Sequence, residues 1–410
     1  MANVVIANPP WYYKDCNGEI RFGVRSGSRW PFTVDNKKDF VNRYRPFPFL
    51  LAYAHSLLRE NIIDSVFIDS ITLGDTEDNF FNKILMEHPK YVFFEISTPS
   101  YSNDMRIAKI LYEKFDCKVL VGGTHASVFY SELIKEDFIH AVFIGEYEWS
   151  LLEFFKGDCS SGIYNPVHKD LDLLPFPYRD DSIWLYRERT HNFIPFQISM
   201  LTSRGCPFHC IFCQWPKVMY DNRVTYRSLS NIENEIKHLV SKYGEDIFIY
   251  IDDDTFNIKE SRSIDISKIF AKYGLKWSAM CRIDTVSLDC WETLYKNGLI
   301  CVNIGIESAS QSVLNTIGKK LNIEQAEKTI NFLNEIGMHI HLTFTFGSPG
   351  ETEEDITITK EFFNRIKVAS KQQSRCIPLP GTIWWNNLID KNIEFDGYKN
   401  FKGLLDENRI

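Results

Sequence analysis

Three cysteines fall within eight residues of one another in Thr202-Ser-Arg-Gly-Cys206-Pro-Phe-His-Cys210-Ile-Phe-Cys213. Thiols so spaced can reach one metal centre, and thiolates are soft ligands suited to zinc or to iron–sulfur clusters. A four-iron cluster has four corners, so three protein ligands leave one iron open to a substrate or cofactor. Zinc would ask for a fourth ligand, and His209, although adjacent in sequence, is poorly spaced for that part. The ten cysteines of the chain are otherwise ungrouped and are expected as reduced thiols.

Further residues able to do chemistry lie where strands are expected to end: Tyr250-Ile-Asp-Asp-Asp-Thr-Phe256, Met280-Cys-Arg-Ile-Asp284, Asn303-Ile-Gly-Ile-Glu-Ser308 and Phe346-Gly-Ser-Pro-Gly-Glu-Thr352. Singly these are ordinary, since an Asp run commonly serves as a turn or cap and a lone Arg as a surface ion pair. His339 and His341 alternate along one strand and, without a third ligand, read as structural. In the first half, Val119-Leu-Val-Gly-Gly-Thr-His-Ala-Ser127 runs a strand into paired glycines, a geometry that lets a ligand approach backbone amides or merely makes a tight turn. Asn8-Pro-Pro10, Ser97-Thr-Pro-Ser100 and Gly145-Glu-Tyr-Glu148 are comparable strand-end loops. Gly122-Gly-Thr-His125 lacks the G-x-G-x-x-G spacing of a dinucleotide turn. The loop Phe22-Gly-Val-Arg-Ser-Gly-Ser-Arg-Trp-Pro-Phe32 places Arg25, Arg29 and Trp30 among small residues, either to grip an anion or to pin two domains together.

All of these loops need a scaffold that gathers strand ends. Between Val4 and about Glu146, β-branched runs predict strands at Val4–Ala7, Ser65–Ile68, Tyr91–Ile96, Lys118–Val121 and Ala141–Ile144. Helices are expected near 48–60, 76–87, 103–115 and 127–135, so this half reads as a doubly wound, Rossmann-like parallel α/β sheet over residues 1–157. The Gly, Ser, Asp and Pro of 158–194, with Leu174-Pro-Phe-Pro-Tyr178 among them, read as a linker. A second series follows over 195–392. Its strands are expected near Gln197–Leu201, Ile247–Ile251, Trp277–Cys281, Val302–Ile306, His341–Phe346 and Arg375–Leu379, with helices near 230–242, 261–273, 288–297, 323–336 and 353–367. Six strand-and-helix units imply a partial (β/α)6 barrel of TIM type, whose chemistry collects at the strand C-terminal ends. Residues 393–410 are left as a C-terminal extension.

With these segments in place, the C-x3-C-x2-C motif after a strand, with Phe212 before its last Cys, resembles the radical S-adenosylmethionine (SAM) family over about residues 197–392. That resemblance implies a [4Fe–4S] cluster on Cys206, Cys210 and Cys213, with SAM chelated at the open iron and cleaved by one electron to a 5′-deoxyadenosyl radical. It implies Asp253 or Asp254 and Glu307, with Ser308, at the SAM ammonium or ribose, Arg282 at its carboxylate and Phe212 at its adenine. An external electron donor of flavodoxin or ferredoxin type is implied as well.

Residues 3–157 resemble the cobalamin-binding domain that precedes the barrel in one large group of that family, Gly122-Gly-Thr-His125 being the nearest match. Asn8, Pro9, Ser97, Thr98, Gly122, Gly123, Thr124, His125, Gly145 and Glu146 would then surround the corrinoid, and Arg25, Arg29 and Trp30 resemble a stretch found in some members. No His has Asp two positions before it, so the D-x-H-x-x-G motif is absent and His125 is not assigned to cobalt. The resemblance implies methylation of an unactivated carbon through methylcobalamin and the 5′-deoxyadenosyl radical, the protein's part being to align the cofactors. Two rivals stay open: a radical rearrangement or cyclisation without methyl transfer, and a non-enzymatic cobalamin- or metal-sensing protein. A methylthiotransferase is disfavoured, because Cys16 and Cys117 do not form a second cluster triad.

The formal net charge of -8 argues against a nucleic-acid-coating surface. The first residues lack the basic start and long apolar run of a signal peptide, and no stretch approaches the roughly 20 apolar residues of a membrane span. A cytoplasmic protein is expected, acting on a small-molecule, lipid or peptide substrate that the sequence does not identify.

Overall fold

The computed structural model describes residues 3–14, 20–23, 34–35, 44–187 and 196–391. Arg25, Arg29 and Trp30 therefore lie outside the described residues, as do the end of the expected linker and the C-terminal extension.

The first half runs through β1 (Val4–Asn8), β2 (Tyr12–Lys14), β3 (Ile20–Gly23), β4 (Val34–Asp35), α1 (Phe49–Glu60), β5 (Ser65–Asp69), α2 (Ser70–Leu73), α3 (Glu77–Glu87) and β6 (Tyr91–Glu95). It continues through α4 (Tyr101–Phe115), β7 (Lys118–Gly122), α5 (Gly123–Val128), α6 (Tyr130–Leu133), β8 (Ile139–Phe143), α7 (Glu148–Lys156) and β9 (Gly162–Tyr164). A small antiparallel sheet joins β2, β3 and β4, while the main sheet has the order β5-β1-β6-β7-β8-β9 with every pair parallel. Such a sheet must be covered on both faces, which is why β1 reads as an unbroken apolar run. Val4 and Ile6 enter one core with Leu51 and Phe154, while Val5 and Ala7 enter another with Ile84 and Leu111. The strand order reverses between β1 and β6, and ligands of open α/β sheets bind at the crevice such a reversal leaves.

The second half runs through β10 (Gln197–Met200), β11 (Ser203–Arg204), α8 (Trp215–Tyr220), β12 (Thr225–Tyr226), α9 (Leu229–Tyr243), β13 (Phe248–Ile251), α10 (Glu260–Lys272), β14 (Lys276–Cys281) and α11 (Leu288–Lys296). It ends with β15 (Leu299–Glu307), α12 (Gln311–Thr316), α13 (Ile323–Glu335), β16 (His339–Phe346), α14 (Glu353–Arg365), β17 (Ser370–Arg375) and α15 (Ile383–Asp390). Its parallel sheet keeps chain order, β10-β13-β14-β15-β16-β17, as a partial barrel does. Helices cover its outer side: Trp277 stacks on Phe270 of α10 at 5.0 Å, and α14 is started by a reciprocal Thr352–Asp355 capping box. No helix of the described residues is long and apolar enough to cross a membrane.

Besides adding the small sheet β2–β4, the pair β11–β12 and the helices α2, α8, α12 and α15, the structure departs from the sequence reading at three places. The sixth barrel strand is Ser370–Arg375 and not Arg375–Leu379, because a polar edge strand carries no apolar run and the apolar Ile377 and Leu379 lie beyond it. The helix expected at 127–135 begins at Gly123 and breaks into α5 and α6. Within the stretch read as a linker, residues 162–164 add β9 to the first sheet beside β8.

Candidate functional site

The loop leaving β10 is held residue by residue. Asp253, fully buried, accepts from Thr202 N at 2.6 Å and Ser203 Oγ at 2.7 Å as well as from the Thr202 hydroxyl. Arg204 reaches across to the first half, donating to Glu146 at 2.9 Å and Glu148 at 2.6 Å. Asp254 accepts from Gly205 N at 2.8 Å, and Cys206 Sγ lies 3.4 Å from Thr255 Oγ1. Gly205 sits at φ 85°, and any Cβ there would fall 1.8 Å from Arg223 O, so only glycine fits. Asp253, Asp254 and Thr255 thus hold the segment that leads into the first cysteine.

The rest of the loop is clamped from the far side of the barrel. Ile211 N donates to Ile317 O at 3.0 Å, Trp384 N to Ile211 O at 3.0 Å, and Gln214 Nε2 to Pro380 O at 2.9 Å. Cys206, Cys210, Cys213 and Phe212 are each half-buried on it. Burial pushes the Cys206 and Cys210 thiols up, and at Cys210 the nearby Lys319 and Arg282 oppose that rise. Among the described residues, no three His, Cys, Asp or Glu side chains gather as they would around one ion. A four-iron cluster takes each thiolate on a different iron, so it does not ask for that convergence.

Beside the cysteines stand Arg282, Glu307 and Lys319. The Arg282 guanidinium lies 3.9 Å from the centroid of the Phe208 ring, between the first two cysteines in sequence, and donates to Asp284 at 2.8 Å and to Lys319 O at 2.9 Å. Lys319 Nζ donates to Glu307 Oε1 at 2.9 Å, both side chains being buried. Glu307 adopts φ 69°, where a non-glycine residue bears strain of about 1–3 kcal/mol. The register of β15 on β16 shifts between Gly305 and Glu307, a bulge that re-aims the carboxylate over the Gly305 backbone. A Cβ on Gly305 would lie 2.3 Å from Glu307 Oε1. Ser308, by contrast, is fully buried with its hydroxyl 2.9 Å from Thr359 Oγ1 on α14, and faces the helix. Phe208 and Lys319 were not singled out in the sequence; only the structure brings them to the loop.

At the sheet of the first half, the crevice between β1 and β6 is lined by Asn8 and by the Ser97–Ser100 loop. Asn8 Nδ2 donates to Asp69 at 2.9 Å, while its buried Oδ1 has no hydrogen-bond partner among the described residues. Ser97 Oγ meets Ser100 Oγ at 2.7 Å, and Thr98 Oγ1 lies 3.2 Å from His125 Nδ1. His125 is buried between the Tyr101 and Phe129 rings, whose centroids lie 4.5 and 4.6 Å away, and burial lowers its pKa to about 3. It is packed as a core side chain behind the Ser97–Ser100 loop. Gly123, at φ 92°, lets α5 start against the end of β6, where a Cβ would come within 3.1 Å of Ile96 O; Gly122 and the buried Thr124 flank it. Glu146 is taken up by Arg204 and by Arg223 at 2.7 Å. Gly145 lies against α8, a Cβ there meeting Met219 O at 3.1 Å, and its N–H bonds Ser127 Oγ at 2.8 Å.

Residues 200–363 match the Radical SAM superfamily. The chain is similar to an uncharacterized methyltransferase of Pyrococcus horikoshii, at 29% identity over 84% of this chain and 79% of that protein. It is also similar to the anaerobic magnesium-protoporphyrin IX monomethyl ester cyclase of Rubrivivax gelatinosus, at 27% identity over 85% of this chain and 67% of that one. Its fold matches the structure of the radical S-adenosylmethionine methyltransferase TsrM from Kitasatospora setae, solved with cobalamin and a [4Fe-4S] cluster, at a TM-score of 0.69 and 15% identity over 95% of this chain and 75% of that chain.

Proposed function

We propose, from the premise that residues 200–363 are a Radical SAM superfamily domain, that this chain is a cobalamin-dependent methyltransferase acting on an unactivated carbon. One observation carries the reading: α8, which begins two residues after Cys213, lies against Gly145, just past the end of β8, and against Ser127 of α5, the helix that follows β7. A group held at those strand ends and a group held by the cysteine loop would therefore be neighbours.

Cys206, Cys210 and Cys213 would hold the [4Fe–4S] cluster. Arg282, Lys319 and Glu307 would meet the carboxylate and ammonium of SAM, with Phe212 at the adenine, while Asp253 and Asp254 hold the loop that presents the first thiol. The β1–β6 crevice would receive the amide-rich rim of a corrinoid: it offers the buried Asn8 Oδ1, which has no partner among the described residues, together with the hydroxyls of Ser97 and Thr98. When bound, cluster and SAM supply a hydrogen-abstracting radical and the corrinoid a methyl group for transfer. The protein's own work is orientation: Arg204 ties the cluster loop to Glu146 and Glu148, so the two halves keep one separation.

The likeness to the Pyrococcus methyltransferase and to the methyltransferase TsrM supports methyl transfer. The likeness to the cyclase favours one second reading, a radical ring closure. Anaerobic turnover with SAM labelled in its methyl group separates them: methylation leaves the label in the organic product, and ring closure leaves it in methionine.

A further inference from the structure

We propose that Phe208 is a positioning residue: the face of its ring holds the Arg282 guanidinium so that Nη1 is presented to the carboxylate of SAM. The proposal rests on the function proposed above and adds a residue to its SAM site.

Arg282 is fixed at every point but one. Its backbone is clamped by the fully buried Asn257, whose Oδ1 accepts from Arg282 N at 2.9 Å and whose Nδ2 donates to Arg282 O at 2.7 Å. Along one edge of the guanidinium, Nε and Nη2 donate to Asp284 at 3.0 and 2.8 Å, and Nη2 also donates to Lys319 O at 2.9 Å. Nη1 has no hydrogen-bond partner among the described residues, although the side chain is only 9% exposed. Donors on a mostly buried charged group are costly to leave without an acceptor, and a carboxylate accepts in the strong, charge-assisted way.

The ring supplies what these hydrogen bonds cannot. Bonds along one edge lie in the guanidinium plane and leave it free to tip about that edge. An aromatic face 3.9 Å away blocks the tipping and attracts the charge. Core packing does not account for the ring: Ile211, Phe212 and Trp215 of the same loop pack against the hydrophobic core, whereas Phe208 stays half-buried and outside it. Phe208 also stands between Cys206 and Cys210 in sequence. Burial pushes both thiols up and the Arg282 charge opposes the rise at each, so the guanidinium lies near both cysteines. Ordering of the cysteine loop therefore orders Nη1 through the ring, which is the preorganisation a carboxylate clamp needs.

The test uses the full chain, reconstituted anaerobically with its cluster, and replaces Phe208 by phenylalanines carrying one, two, three and five ring fluorines. These drain the π face at nearly constant shape. Affinity is read by anaerobic calorimetry for SAM and for decarboxylated SAM, which keeps the sulfonium and ammonium and lacks the carboxylate. SAM affinity is expected to fall stepwise, by about fivefold at five fluorines, while cluster absorbance and the affinity for decarboxylated SAM stay at wild-type values. Phe208→Tyr keeps the π face and should keep the affinity, and Phe208→Leu should lose at least as much as the fully fluorinated ring. A flat series, or a loss confined to Phe208→Leu, overturns the proposal. So does an equal loss for decarboxylated SAM, which would set the ring against the ligand's own cations and not behind Arg282. A wild-type chain that carries an intact cluster and binds no SAM would overturn the function proposed above, and this role with it.

Discussion

Arg204 Nη2 donates to Glu148 Oε1 at 2.6 Å, joining the cysteine loop of the barrel to the first helix turn that follows β8. Both side chains are almost fully buried, and burial raises the Glu148 carboxyl even with the guanidinium beside it. Removing one partner of a buried pair leaves the other charge uncompensated, at a cost of about 3–5 kcal/mol.

Arg204→Met is therefore expected to lower the free energy of urea unfolding by about 3 kcal/mol, and Arg204→Met/Glu148→Leu to regain more than half of that loss. A single variant as stable as wild type would show that the two halves are held by other contacts.

Gly305→Ala drives a methyl group into Glu307 Oε1, 2.3 Å away, and must move the carboxylate or Lys319. Overpacking of this kind costs about 1–3 kcal/mol, so SAM affinity measured by anaerobic calorimetry should fall about tenfold at unchanged cluster content. Unaltered affinity would remove Glu307 and Lys319 from the SAM site.

His125 predicts an acid-sensitive fold. Its pKa is lowered to about 3 in the folded chain against about 6.5 when exposed, so the unfolded state binds more protons between those values and stability falls as pH falls through that window. The slope is up to about 1.4 kcal/mol per pH unit, and His55, lowered to about 4, acts in the same direction. His125→Phe keeps the stacking on Tyr101 and Phe129 and should flatten the decline between pH 6 and pH 4 in denaturant titrations, roughly by one proton. An unchanged slope would mean that His125 is protonated in the folded state.

Gly381 marks where the C-terminal segment meets both halves. At φ 80° it would put a Cβ 2.7 Å from Val218 of α8 and 2.8 Å from Val128 of α5. Gly350, at φ 74°, has nothing within 4 Å of its Cβ position. Gly350→Ala should cost only the backbone strain, about 1 kcal/mol, and Gly381→Ala about 1–3 kcal/mol more, read as unfolding midpoints. Equal effects would argue against a packed junction.

Much of this was legible because it is local. The C-x3-C-x2-C spacing, the paired glycines of 122–123 and the alternation of buried strands with amphipathic helices are short-range signals, and they placed the two parallel sheets and the cysteine loop. What escaped depends on pairing across the chain. Nothing in the sequence tells Asp253 from a ligand until Thr202 and Ser203 are seen donating to it, and Glu146 reads as a loop carboxylate until Arg204 arrives from 58 residues away. Lys319 sits in an unremarkable Gly-Lys-Lys turn. The strand Ser370–Arg375 was invisible for a different reason: its polar residues serve a face that the apolar-run rule does not describe.

The most direct test of the central claim is to reconstitute the chain anaerobically with iron and sulfide, add hydroxocobalamin, SAM and a low-potential reductant, and follow 5′-deoxyadenosine together with the corrinoid retained after gel filtration. The account predicts cluster-dependent 5′-deoxyadenosine that disappears in Cys206→Ala, with about one corrinoid kept per chain in both proteins. Intact cluster with no SAM cleavage and no retained corrinoid would contradict it, and would bring the sensing reading forward.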